Sequence, residues 1–153
     1  MRPTWDDTWM DVAANIACRS LCVRAYVGAV IVSPTNRIIA TGYNGPPAGF
    51  DHRDMMCNDW CPRVANGRLH ELYEDCWSVH AETNAIAFCD RRDREAGTIY
   101  VTGAICVTCA KLIAASGLAR CVYVDDGAAE HRAPAKGVAI MRECGLDVVR
   151  WTT

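Results

Sequence analysis

No stretch of this sequence stays apolar for long. The most hydrophobic run, residues 27–32, is far shorter than the ~20 residues that a membrane-spanning helix needs, so no membrane partner is expected. Neither sign of charge dominates: 16 Lys and Arg stand against 18 Asp and Glu, for a net charge of −2. A broad nucleic-acid or membrane-surface footprint is therefore not expected. Arg2 is followed by no hydrophobic segment, so a secretory leader is not expected and a reducing, cytoplasmic setting is. Internal repeats, low-complexity tracts and any sign of a second domain are also missing. That leaves one domain over residues 1–153, long enough to bury most of its apolar surface. Its 51% hydrophobic and 22% charged residues are an ordinary globular balance.

Cysteine is the residue in excess, with ten. In a reducing compartment, metal binding or buried thiols explain that number better than disulfides. Cys18, Cys89, Cys121 and Cys144 each fall inside a helical or strand pattern and are expected in the core. Cys22, Cys57, Cys61, Cys76, Cys106 and Cys109 need separate weighing.

Thr4 with Asp7 three residues on has the form of a helix N-cap, and Trp5, Trp9, Val12, Ala13, Ile16 and Ala17 recur at helical spacing. A first helix is expected to about residue 19. Residues 26–33 read as a strand buried on both faces, and 37–41 as its hairpin partner. Residues 42–49, with three glycines and two prolines, read as a shaped loop. From 50 to 78 no period is sustained, and so long an irregular segment needs something to hold it. A helix is expected over 79 to about 91, with Ala81, Ala85, Ile86, Phe88 and Cys89 facing inward. Strands at 98–102, 120–124 and 147–151 then alternate with helices at 106–116 and 134–144. Such alternation implies parallel strands with helices on the sheet faces.

The chemistry concentrates in His80-Ala81-Glu82 and Cys106-Val107-Thr108-Cys109. His80 opens one predicted helix, and Cys106 and Cys109 open another, where residues three apart share a face. A helix N-terminus also favours thiolates. One imidazole and two thiolates leave the fourth position of a tetrahedral zinc to water, as a catalytic site requires. Glu82, two residues from His80, is placed to handle a proton without ligating the metal. This joint pattern is the signature of zinc-dependent nucleobase deaminases.

Three stretches carry a closer resemblance: residues 22–32 (CVRAYVGAVIV), 40–49 (ATGYNGPPAG) and 80–86 (HAETNAI). Together they are similar to the deoxycytidylate (dCMP) deaminases of bacteria and phages, over roughly residues 4–124. The resemblance implies a cytidine-deaminase-like three-layer α/β/α sandwich around a mixed five-stranded sheet. It implies hydrolysis of dCMP to dUMP and ammonia, with Glu82 catalytic and zinc on His80, Cys106 and Cys109. The cell would be a bacterium or a phage-infected host. Alternatives are a deaminase of the same fold acting on another cytosine derivative, and a nucleotide-binding zinc protein without turnover. An editor of single-stranded nucleic acid is disfavoured, since no basic stripe with aromatics is present.

By the same resemblance Asn44 contacts the sugar and Val27, Gly28 and Ala81 frame the base; Arg24 is expected at the 5′-phosphate because a guanidinium fork matches phosphate geometry. A second, structural zinc is expected on Cys22, Cys57, Cys61 and Cys76, with His52 or His70 as substitutes. A homo-hexamer is implied, with regulation by dCTP and dTTP, with Mg2+, at a loop of Gly42, Tyr43, Asn44 and Gly45. Two departures stand out. Ile105 occupies the place of a usual proline before Cys106, and the segment 125–131 has no clear match.

Overall fold

The structure is a computed structural model that describes residues 1–51, 55–67, 75–125, 127 and 133–152. Helix α1 (Trp5–Ala17) starts where Thr4 and Asp7 close a reciprocal capping box. The Asp7 N–H donates to Thr4 Oγ1 at 3.1 Å, and the Thr4 N–H donates to Asp7 Oδ2 at 2.9 Å. Strands β1 (Gly28–Val32) and β2 (Ile38–Tyr43) form the expected antiparallel hairpin. β3 (Thr98–Val101) pairs antiparallel with β1 and parallel with β4 (Arg120–Tyr123), which pairs parallel with β5 (Asp147–Arg150). The sheet order is β2-β1-β3-β4-β5, a mixed five-stranded sheet as expected.

Every residue of β1 is buried because helices cover both faces of the sheet. Val30 and Val32 pack with Trp9, Met10 and Ala13 of α1. Ala29 and Ile31 face the other layer, built from α3 (Ala81–Ala87), α5 (Val107–Ala115) and α6 (Pro134–Glu143). Two glycines set how close the layers come. A Cβ on Gly28 would lie 2.0 Å from the Ala13 carbonyl oxygen of α1, and one on Gly42 would lie 2.3 Å from that of Ala81 in α3. No helix of the described residues is long and apolar enough to cross a membrane.

The structure corrects several expectations. Gly42 and Tyr43 belong to β2, so the loop begins at Asn44. The segment after residue 50 holds a short 3-10 turn at Cys57–Asp59 and a one-turn helix α2 (Pro62–Ala65), begun by proline at its first position. Helix α3 ends at Ala87, and a separate turn α4 (Arg91–Arg94) follows. Phe88 caps α3 and is 67% exposed rather than inward. Of the four cysteines expected in the core, Cys121 is fully buried, Cys89 is partly buried, and Cys18 and Cys144 are exposed. Cys18 lies one residue past the last turn of α1 and Cys144 just past α6, so neither helix turns it inward. His52, His70 and most of 125–131 lie outside the described residues.

Candidate active site

His80 and Cys106 hold equivalent positions, each the N-cap of a helix on the same sheet face. The Gly45–Val79 bridge fixes the chain entering α3: the Val79 N–H donates to the Gly45 carbonyl at 2.8 Å, and the Gly45 N–H donates back at 3.2 Å. The Asn84 side-chain amide donates to the Tyr43 carbonyl at 2.7 Å and ties α3 to the end of β2. At α5, Cys106 Sγ accepts from the Cys109 N–H at 3.4 Å, so the sulfur itself caps the helix. Ile105 before it and Ala110 after it sit at the two positions of a hydrophobic staple, both fully buried in one cluster. Burial of Ile105 thus fixes the helix entry that a proline would preset.

The ligand atoms of His80, Cys106 and Cys109 all lie within 4.8 Å of one another. His80 Nδ1 is 3.3 Å from Cys109 Sγ and 3.6 Å from Cys106 Sγ. A tetrahedral zinc with bonds of about 2.3 Å to sulfur and about 2.0–2.1 Å to nitrogen spaces its ligand atoms about 3.5 Å apart. The three side chains therefore fit a zinc ion, and all three line one cavity. Cys106 is pulled down to about 3 by its hydrogen bonds with Cys109 and His80. Cys109 is pushed up by its bond to Cys106, by burial and by the charge of Glu82. Thr83 Oγ1, 3.8 Å from Cys109 Sγ, favours the ionised form.

The triad opens into a cavity of about 470 Å³, a size suited to a small ligand. Glu82 lines it and is 3% exposed. Arg24, Val27, Asn44 and Ala81 also line it, whereas Gly28, Gly42, Tyr43 and Gly45 do not. Gly28 instead meets α1, and its N–H donates to Thr102 Oγ1 at 2.9 Å. Asn44 is buried and braces the cavity wall: its Oδ1 accepts from the Val27 N–H at 2.8 Å, and its Nδ2 donates to the Ala25 carbonyl at 2.9 Å.

Cys22 and Cys76 border the same cavity. Cys22 contacts Cys57, and Cys76 contacts Cys61, each through its thiol, while Cys57 feels the charge of Cys61. Burial pushes the Cys57 thiol up to about 11 and that of Cys76 upward. Among the described residues, His80, Cys106 and Cys109 form the one group of three or more ligand atoms close enough to share an ion as they stand. Other contacts also hold this segment. The Cys57 N–H donates to the Leu21 carbonyl at 2.8 Å, and Phe50 packs on Trp60 and Trp77 at 5.6 and 5.5 Å. Sequence reasoning missed Arg63 and Ser78 among the cavity residues, since nothing periodic marks either one.

Comparison with known proteins adds an independent line. Residues 3–125 match the family model described as the cytidine and deoxycytidylate deaminase zinc-binding region. The chain is 43% identical over 128 residues to the deoxycytidylate deaminase of Mycobacterium phage D29, covering 80% of this chain and 95% of that one. It is 35% identical over 149 residues to the deoxycytidylate deaminase of Saccharomyces cerevisiae, covering 97% of this chain but 45% of the longer relative. In fold it resembles the dCMP deaminase of cyanophage S-TIM5, solved with dCMP and dUMP, at a TM-score of 0.71 and 24% identity over 99% of each chain.

Proposed function

The chain belongs to the cytidine and deoxycytidylate deaminase family, and from that premise we propose that it is a zinc-dependent hydrolase converting dCMP to dUMP and ammonia, a supply of dUMP for thymidylate synthesis. One deaminase domain over 1–153 carries the activity. The observation that carries this reading is the meeting of His80, Cys106 and Cys109 within 4.8 Å in a cavity that also holds the buried carboxylate of Glu82.

His80, Cys106 and Cys109 hold the zinc, which when bound supplies Lewis acidity that makes water a nucleophile near neutral pH. Glu82 takes the proton of the attacking water and delivers it to the ring nitrogen as the new bond to C4 of the cytosine forms. It then takes the proton of the new hydroxyl on C4 and passes it to the exocyclic amine; the C4–N bond breaks as the C4 carbonyl forms, and ammonia leaves. Burial keeps Glu82 where bulk water does not compete for that proton. Asn44 and Ala81 shape the wall against the sugar and base, and Arg24 faces the 5′-phosphate.

Cys22, Cys57, Cys61 and Cys76 hold a second, structural zinc. Their thiol contacts, Cys22 with Cys57 and Cys61 with Cys76, support this assignment. The family resemblance supports a homo-hexamer in a bacterial or phage-infected cytoplasm. It also supports control by dCTP and dTTP, with Mg2+, near Asn44 and Gly45. The Glu82→Gln variant tests the whole scheme. Turnover should vanish while metal analysis still finds two zinc ions per chain. Turnover retained in that variant would refute the proton role, and one zinc per chain would refute the structural site.

A further inference from the structure

The two sulfurs of the metal centre are met by donors of different kinds. Cys106 Sγ accepts from the Cys109 N–H at 3.4 Å, a bond that α5 supplies from its own backbone. Cys109 Sγ lies 3.8 Å from Thr83 Oγ1, a side-chain hydroxyl of the other ligand-bearing helix, α3. Cys109 is 2% exposed, so bulk water scarcely reaches its sulfur, and a donor for it has to come from within the protein or from a ligand.

The direction taken by Thr83 is itself informative. A threonine inside a helix commonly turns its hydroxyl back to the carbonyl three or four residues earlier. For Thr83 those carbonyls belong to His80 and Val79, and both are engaged. His80 accepts from the Asn84 N–H at 2.9 Å, and Val79 accepts from the Gly45 N–H at 3.2 Å. The Thr83 hydroxyl reaches across to α5 instead, and the residue lines the cavity with His80, Glu82, Cys106 and Cys109. A sulfur that holds zinc has lost its proton, so in the loaded protein this bond runs from hydroxyl to sulfur. From these contacts we infer that Thr83 is a positioning residue of the metal centre, whose hydroxyl donates to the Cys109 sulfur, aims it and withdraws part of its charge. Partners one step behind the ligands orient them and tune the metal in this way. A sulfur that gives less charge to zinc leaves the ion a stronger Lewis acid, as the activation of water requires.

Thr83 has this part in a site that holds zinc, so the assignment rests on the deaminase reading and goes beyond it. Two variants test it. Thr83→Val keeps the branched shape and removes the hydroxyl, while Thr83→Ser keeps the hydroxyl and removes the methyl. Each is loaded with Co2+ in place of zinc, and the sulfur-to-cobalt charge-transfer absorption is recorded without substrate. In Thr83→Val that band should move to longer wavelength, because a sulfur without its donor holds its electrons less tightly. In Thr83→Ser it should keep the wild-type position. With zinc, kcat on dCMP should fall about tenfold to a hundredfold in Thr83→Val with KM little changed, and Thr83→Ser should retain most of the activity. A role limited to packing predicts the opposite order, since valine fills the space of threonine and serine leaves a gap. That opposite order, or a band that stays in place in Thr83→Val, would overturn the inference. A wild-type protein without a sulfur-to-cobalt band would overturn the metal centre, and the inference with it. One that shows the band but deaminates nothing would sink the reaction alone, while the shift still judges Thr83.

Discussion

At the scale of single residues, one carboxylate joins the two layers of the fold. Asp6 near the start of α1 accepts two hydrogen bonds from the Arg120 guanidinium of β4, at 2.7 and 2.8 Å, and a third from the Tyr100 hydroxyl of β3 at 2.8 Å. The Arg120 guanidinium beside it holds its carboxyl below the usual carboxylate range. A carboxylate with a lowered folded pKa contributes stability that is fully present above its unfolded value of 3.8 and is lost as pH falls through the folded one. Asp6→Asn should therefore destabilise the protein by about 1–3 kcal/mol at pH 7. The gap between variant and wild type should close as the pH drops below 3.8. Urea unfolding at pH 7 and in strong acid measures both, and a gap that is constant with pH would rule out the ionic contribution.

At the scale of elements, the site depends on how closely α3 lies on the sheet. Gly42 allows it: a Cβ there would stand 2.3 Å from the Ala81 carbonyl oxygen and 2.5 Å from the Ala85 nitrogen. Gly42→Ala should push α3 outward and cost about 1–3 kcal/mol or more. Because α3 carries Glu82 and follows His80, activity should fall with the melting temperature. Wild-type melting and turnover in that variant would contradict the close packing. Much of this scale was legible in the sequence. The Thr4–Asp7 cap, the apolar run of β1 and the alternation of β3, α5, β4, α6 and β5 are local signals that the fold obeys. The end of α3 was not legible, because Phe88 and Cys89 prolong the apolar pattern past the last helical turn. The described residues between 50 and 78 were opaque for another reason: contacts distant in sequence hold them, such as Cys57 with Leu21, that no period records. Arg63 was hidden there. His80, Glu82, Cys106 and Cys109 were plain because metal chemistry demands those residue types at helix starts. Asn44 stood out by resemblance, but its brace on the Ala25 and Val27 backbone appears only in three dimensions.

At the scale of the whole molecule, the sheet order brings two helix starts together. β1 and β3 are neighbours, and α3 and α5, on either side of β3 in the chain, pack on the same face of the sheet. Each presents its N-cap residue, His80 or Cys106, to the same cavity. The hairpin edge supplies Asn44 to that cavity, and the segment between β2 and α3 supplies Arg63. Metal centre and cavity wall thus come from separate parts of the chain and meet in one place. The most direct test of the deaminase assignment is ammonia release by the zinc-loaded protein from dCMP, CMP, deoxycytidine and cytosine, assayed side by side. Ammonia and dUMP should appear in equal amounts from dCMP, at a higher kcat/KM than from the other three. Ammonia from none of them, or the highest kcat/KM on free cytosine, would contradict it.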